Sequence, residues 1–361
     1  MPEVVLKTGG LSYEGWKSVR VLRSMERCSG NFELEVSELW PGGALLPRRI
    51  KGGDSCELLL DGARVIYGYV DTVAMQMSAS EHSVRITGRD NVSDLIDCSA
   101  DFKEGQWRGR TILQIAADLC KPFDIPVAAD VDIGKPFLSY ALQSGASVFE
   151  ELDRMARMRS LLLVSDGAGG LLFTRAGKRY IPTRLVLGQN VLDASVTLDM
   201  RDRFSTYDFK GQSSGFYFEQ AGGTTPPAVY TNKHAVAKDD GVKRYRPLIL
   251  HAEAGDAGST FQQRVNWEAS VRRARSTEVS ITVQGWSHAD GLWEPNRLVH
   301  VQLPDLRIDD ALLIRSAQFG LGSDGSKTQL SMTMKDAFSQ LPIKVKENPK
   351  AYLEGVAASK K

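Results

Sequence analysis

The side-chain period of this 361-residue chain changes from two to about 3.6 and back again, which constrains its fold more than any single motif. In the first part apolar and polar residues alternate in short runs. These are Ser18-Val19-Arg20-Val21-Leu22, Asn31-Phe32-Glu33-Leu34-Glu35-Val36, Cys56-Glu57-Leu58-Leu59-Leu60 and His82-Ser83-Val84-Arg85-Ile86-Thr87. Alternation turns one face of each strand inward and the other toward water. Asp61-Gly62 separates Leu58-Leu59-Leu60 from Val65-Ile66-Tyr67, and both residues tolerate the positive φ of a tight hairpin. An antiparallel barrel or sandwich is the economical fold for such a stretch.

After Gly88-Arg89-Asp90 the spacing becomes helical. Thr111 precedes Ile112, Ile115, Ala116 and Leu119, an N-cap followed by one apolar stripe that runs into Cys120-Lys121-Pro122. Ser147 opens a second helix with Val148, Leu152, Met155 and Ala156 on one face and Glu150 at the capping-box position. Leu161-Leu162-Leu163-Val164 and Leu171-Leu172-Phe173-Thr174 flank Asp166-Gly167-Ala168-Gly169-Gly170, a β-hairpin pattern. Alternation resumes at Val191 and meets Gly222-Gly223-Thr224-Thr225-Pro226-Pro227, whose composition buries too little apolar surface to fold alone. A third helix is predicted over 259–275, with Phe261, Val265, Ala269 and Val271 inward and Arg264, Arg272, Arg273 and Arg275 mostly outward; strands then return from 278 to about 334.

A weak repeat links the two β-rich regions. Laying Arg89-Asp90 over Lys335-Asp336 matches Thr87 with Thr333, Ser93 with Ser339 and Leu95 with Leu341, and places Val84 and Ile86 on Leu330 and Met332. Each copy closes an alternating strand with a basic residue, an aspartate and a helix-like turn. The predicted class is α+β, mainly β: two similar antiparallel β-barrel domains with inserted small α/β domains. The boundaries are 1–95 for the first barrel, 96–185 for an inserted α/β domain, and 186–212 with 276–340 for the second barrel. Residues 213–275 form an insertion with a loop and one helix, and 341–361 a basic tail.

Composition and motifs exclude most chemistry. With 45 Lys+Arg against 44 Asp+Glu, a formal charge of +1, the chain lacks the general field that draws proteins to nucleic acid or anionic membranes. It has neither a secretory start nor a continuous apolar span of about 18 residues, so cytosolic synthesis without a membrane span is expected. Cys28, Cys56, Cys98 and Cys120 are too scattered for a C-x-x-C pair and read as buried, reduced thiols. His82, His234, His251, His288 and His300 never fall at ligand spacing, so neither a metal nor a cofactor is expected.

Gly320-Leu321-Gly322-Ser323-Asp324-Gly325 spells a dinucleotide fingerprint but precedes an alternating strand, not a helix. Gly211-Gln212-Ser213-Ser214-Gly215 spells a nucleophile elbow, with Asp239, Asp240 and His251 in triad order, yet Phe216-Tyr217-Phe218 and the Gly/Pro-rich stretch follow it. Carboxylates are plentiful, but no two are marked out as a hydrolytic pair. Arg48-Arg49-Ile50-Lys51 and Arg272-Arg273-Ala274-Arg275 could meet phosphate or an acidic partner, although a solvated loop and helix face is the simpler reading. No catalytic residue is expected, and no residue is marked as an interface.

The run Ala274-Arg275-Ser276-Thr277-Glu278-Val279-Ser280-Ile281-Thr282-Val283-Gln284-Gly285-Trp286, followed by Gly291-Leu292-Trp293-Glu294-Pro295-Asn296-Arg297-Leu298-Val299, resembles the signature region of baseplate hub proteins of Mu-like contractile-tailed bacteriophages. The Thr111 and Ser147 helices and the hairpin around Asp166-Gly167 are similar too. The same order of elements occurs in the hub part of late-control tail proteins and type VI secretion spikes, and the resemblance covers 3–340. It implies a structural, non-enzymatic virion component of the tail baseplate, made in the host cytoplasm. In that reading the chain is a homotrimer whose paired barrels form a ring of six. The ring joins the sixfold tail tube protein to the threefold central spike protein, contacts other baseplate proteins and passes DNA without binding it. The alternatives are an ester or polysaccharide hydrolase built on Ser213, or a host-surface binding module with Trp286, Trp293 and Tyr217 as sugar platforms.

Overall fold

The computed structural model describes residues 2–37, 50–78, 82–103, 105–214, 230–251 and 261–341. The alternating runs of the first part form β1 (Val4–Thr8), β2 (Ser18–Ser24), β3 (Asn31–Ser37), β4 (Ser55–Leu60), β5 (Ala63–Met77) and β6 (His82–Asp90). Their inward side chains leave solvent completely: Leu6, Val21, Leu34, Leu58 and Ile86 are fully buried. Asp61 (φ 46°) and Gly62 (φ 78°) turn the β4–β5 hairpin in the left-handed region that its two-residue loop requires.

The helical period yields α1 (Ile112–Cys120) and α2 (Val148–Met158). Each opens with a complete capping box, Thr111 with Gln114 and Ser147 with Glu150, so orphan N–H groups are satisfied at both starts. With the antiparallel hairpin of β7 (Leu162–Ser165) and β8 (Leu171–Thr174) they enclose a core of their own around Ile115, Leu119, Leu152, Met155 and Phe173.

Next come β9 (Arg179–Val186), β10 (Val191–Leu198), β11 (Thr206–Ser214), β12 (Tyr230–Lys238), β13 (Pro247–His251) and α3 (Phe261–Arg275). Strands β12-β11-β13 form a separate small sheet, and Val265 and Ala269 of α3 pack onto its Tyr207 and Phe209. The chain ends in β14 (Thr277–Gln284), β15 (Arg297–Leu303), β16 (Ile308–Gly322) and β17 (Gly325–Thr333). Among the described residues no helix is long and apolar enough to cross a membrane.

Six strands from each region, with a short strand Leu11–Tyr13 beside β1, join in one 13-stranded sheet. The first region runs β2-β3-β6-β5-β4-β1 and the second β10-β14-β17-β16-β15-β9. Counted from its own first strand, each set has the same permutation: second, third, sixth, fifth, fourth, first. The registers agree as well. Glu33 faces Thr87 as Glu278 faces Thr333, and Met75 faces Val84 as Ala317 faces Leu330. The sets differ at their ends, where β1 lies antiparallel to β4 but β9 parallel to β15.

The molecule is thus mainly β, but the described residues contain no closed barrel. Strand β16 carries β15 along 308–313 and then β2 along 316–321, so the second set runs on into the first. The long strand satisfies its backbone groups by taking two partners in tandem, which removes the need to curl back on itself. One hydrophobic core spans both sets, from Leu6 and Ile86 to Val279 and Met332.

Candidate assembly interface

The residues that spell catalytic patterns are dispersed by the fold. Ser213 lies inside β11, paired with Thr231 of β12, and not at a strand-to-helix turn. His251 pairs with Lys210, three positions down β11, or roughly 10 Å at a strand's rise. Arg203 grips both oxygens of the buried Asp239 carboxylate at 2.8 Å, and Gly241 donates its N–H at 3.0 Å. The guanidinium holds Asp239 below the usual carboxylate range, so it serves an ion pair. Gly320 through Gly325 form the β16–β17 hairpin, with Gly322 opposite Gly325.

Among the described residues no group of three His, Cys, Asp or Glu could hold a metal ion. His300 meets Asp309 at 2.7 Å, and His288 packs against Trp293. Cys28, Cys56 and Cys120 are buried free thiols, and burial pushes Cys56 and Cys120 up to about 12. Cys98 departs from the expected burial because it caps the short helix Ser93–Asp97 at the surface. The arginine cluster ties α3 to its surroundings: Arg272, paired within the helix with Glu268, donates to the Asp202 carbonyl at 3.4 Å, Arg273 reaches Asp239 at 3.5 Å, and Arg275 donates to the Ala337 carbonyl at 3.2 Å. Trp286 and Trp293 are core residues, 1% and 3% exposed, and offer no platform to a sugar. Arg48, Arg49, Tyr217, the stretch 222–227 and the tail 342–361 lie outside the described residues.

The most specific run of the sequence is a joint between the sheet and the α1–α2 unit. Asn296, at φ 63°, accepts the Gly177 N–H at 2.7 Å and donates to the Arg175 carbonyl at 3.1 Å. Glu294 pairs with Arg297 at 2.5 Å and reaches Arg23 at 3.8 Å, while Arg23 donates to the Ser165 carbonyl at 3.4 Å. Nearby, Asn91 donates to the Gly169 carbonyl at 2.9 Å, and Asp90 accepts the Gly30 N–H at 2.8 Å. Burial pushes the Asp90 carboxyl up, against the opposing pull of that N–H and of Arg23. Sequence reading assigned this run to a family without a physical role. The role rests on backbone geometry at Asn296 that no local pattern in the run announces.

Besides β9 and the strand Leu11–Tyr13, two strands of the large sheet have an edge without a full partner among the described residues. Strand β10 ends the sheet; beyond an isolated bridge from Leu187 to Val191 at its start, no described strand lies on its outer side. On the β4 side of β5, pairing stops at Tyr69, and Val70 bonds Gly53 and Asp54; beyond it, 71–77 has no described partner. Both edges show large apolar side chains to solvent: Met75 is 66% exposed, Met77 79%, Leu198 68% and Met200 37%. Monomers blunt open edges with charge or cover, because unpaired edges with apolar side chains recruit other chains. These edges are the candidate assembly surface.

Known proteins carry the same arrangement. The chain matches the family models "Mu phage baseplate assembly protein GpP-like, N-terminal" over 3–90, "Baseplate hub protein gp44-like, second domain" over 92–175 and "Mu phage baseplate assembly protein GpP, fourth domain" over 257–341. It is 35% identical over 341 residues to baseplate hub protein gp44 of Escherichia phage Mu, spanning 93% of this chain and 88% of that one. The 43 kDa tail protein of prophage MuSo2 from Shewanella oneidensis superposes with a TM-score of 0.80 at 34% identity, covering 94% of this chain and 100% of its own. A tail protein from Neisseria meningitidis MC58 shares the fold with a TM-score of 0.74 at 22% identity, over 94% and 99% of the two chains. So does the E. coli c3393 component of a type VI secretion system, with a TM-score of 0.56 at 10% identity over 93% and 78%. Identity of this extent over nearly the whole length of a hub protein places the chain in the gp44-like family of phage baseplate hub proteins.

Proposed function

We propose that the chain is a trimeric, non-enzymatic hub that joins the sixfold tail tube to the threefold central spike. After the spike has been driven through the host envelope, the hub forms a passage for the genome. The observation that supports this reading is the strand order found twice in one chain. Three chains with two like modules each present six near-equivalent surfaces around one axis, which a threefold-to-sixfold adaptor needs.

The modules are the units 1–95 and 186–212 with 276–340, the second widened to take in β9 and without β11; the rest of the α/β unit 96–185 and the insertion 213–275 stand outside the ring, and 341–361 is a basic tail. The partners are two further copies, the tube protein, the spike protein and other baseplate proteins. In this reading the protein is made in the host cytoplasm and resides in the virion tail. DNA crosses without being held, because a formal charge of +1 supplies no multivalent phosphate clamp. Light scattering on the purified protein tests the assembly: three times 39.7 kDa is expected, and a strict monomer at micromolar concentration would overturn the reading.

A further inference from the structure

We infer that the outer face of the small sheet β12-β11-β13 docks an acidic segment of a partner protein. Lys210, His234, His251 and Lys238 meet its carboxylates, and Val236 and Ile249 meet an apolar side chain between them. The contact goes beyond the hub reading and does not depend on it, since all six residues belong to one chain.

Alternation gives this sheet two faces of different use. Tyr207, Phe209 and Ala235 point to α3 and are buried with Val265 and Ala269. The residues between them point the other way, and His234, Val236, Lys238, Ile249 and His251 are exposed. The registers set these side chains in rows. Lys210 stands between His234 and His251, and Asp208 between Val236 and Ile249. Lys238 lies two residues beyond Val236 on β12. Strands sit roughly 4.8 Å apart and rise roughly 3.3 Å per residue. The histidine row and Lys238 are therefore about 13 Å apart along the strands, with the Val236–Ile249 row midway.

Charge on this face is one-sided. Its one described carboxylate, Asp208, already pairs with Lys210 at 3.2 Å, whereas Lys238, His234 and His251 have no carboxylate partner among the described residues. The loop from Lys238 to Pro247 adds exposed Lys243 and Arg244 against Asp240 and carries Tyr245, 89% exposed. Solvent faces ordinarily intersperse both signs. Cations left unopposed around Ile249, 52% exposed, and Val236, 36% exposed, make an apolar centre with a charged rim, the composition of half an interface.

The apolar centre selects the occupant. A phosphate backbone offers nothing to cover Val236 and Ile249, whereas an acidic polypeptide presents carboxylates and an apolar side chain on one face of a strand or helix. A second copy of this face and the lysine-rich tail 341–361 carry the same sign and are repelled.

The test uses the full-length chain and a fluorescein-labelled peptide, Glu-Glu-Ser-Leu-Ser-Glu-Glu, whose inner glutamates lie about 13 Å apart when extended. Its anisotropy is expected to rise with a Kd below about 1 mM at low salt, and the same peptide with lysine for glutamate should not bind. Lys238→Glu, at a side chain that holds no carboxylate, should weaken binding about threefold or more, and Lys210→Glu with Lys238→Glu about tenfold or more. The double variant should take up the lysine peptide instead, and Ile249→Ser should weaken binding of the acidic one about threefold.

No binding up to about 1 mM overturns the docking face, as does equal binding by the wild type and a Lys238→Glu variant whose far-UV spectrum is unchanged. A DNA duplex of about 20 base pairs, bound more tightly than the peptide at the same salt, would assign the face to phosphate and overturn the protein partner. A monomer by light scattering that still binds the peptide overturns the trimer and leaves this face standing.

Discussion

The two strand sets share one order and one set of registers, yet their fifth strands end differently. Along 316–321, β16 is covered by β2 and Phe319 is fully buried. Along 71–77, β5 pairs with β6 but has no partner on its β4 side among the described residues, and Met77 stands in solvent. Local pattern therefore builds the strand, whereas what lies beside it decides whether its apolar face is core or surface. The sets also differ in what interrupts them. The second set is opened after β10 by the β11–β13 sheet and α3, whereas among the described residues no further sheet or helix interrupts the first set between β1 and β6. The insertion enters at the sheet's end strand, which is why the registers of the second set survive it.

The largest effect should separate the two edges. Phe319→Ala is expected to lower the unfolding free energy by about 3–5 kcal/mol, as truncating a buried phenylalanine does. In denaturant titrations of dilute protein, Met77→Ala at the equivalent place should move it by no more than about 0.5 kcal/mol. Equal losses would erase the distinction between the covered and the open edge.

The insertion found only in the second set should depend on its buried ion pair. Arg203→Met leaves the Asp239 carboxylate without its fork and should cost about 3 kcal/mol, the low end for a broken buried pair, since Arg273 remains at 3.5 Å. Because Asp239 titrates below its unfolded value of roughly 3.9, the pair's contribution is present above that pH and is lost as pH falls through the lowered value. Acid titration of the wild type should show this loss, and Arg203→Met should lack it.

The repeat's two aspartates look alike in sequence and should behave differently. Asp90 is 1% exposed and holds the Gly30 N–H, so Asp90→Ala should cost about 1–3 kcal/mol. Asp336 is exposed and, among the described residues, its carboxylate accepts the Ser270 hydroxyl, and Asp336→Ala should cost no more than about 1 kcal/mol. The raised Asp90 carboxyl imposes no penalty below roughly pH 3.9 and a growing one as pH rises toward its folded value. Asp90→Asn should therefore gain on the wild type as pH rises over that interval. At the helix caps, Ser147→Ala should cost about 1 kcal/mol in thermal unfolding and leave the sheet intact.

Much of this architecture was legible because its signals are local. Alternation located β2, β3, β4, β6 and β14, Asp61-Gly62 marked a hairpin, and Ser147 with Glu150 marked a helix start. The joint at Asn296 was not legible in physical terms, since its partners Gly177 and Arg175 lie more than a hundred residues away. Nor was the exposure of Cys98, which depends on where one short helix ends. The open edges were invisible for the same reason: Met77 and Leu198 sit in ordinary strand patterns, and no local rule says that a neighbour is missing.

The sequence by itself determined the strands, the capped helices, the tight turns and the family of the chain, because period, capping and turn chemistry act over a few residues. Only the tertiary structure decided that both strand sets share one order and join through β16 and β2, and which edges stay open. Strand pairing is a contact between distant segments, and the pattern within a strand records that it has a buried face without recording what buries it.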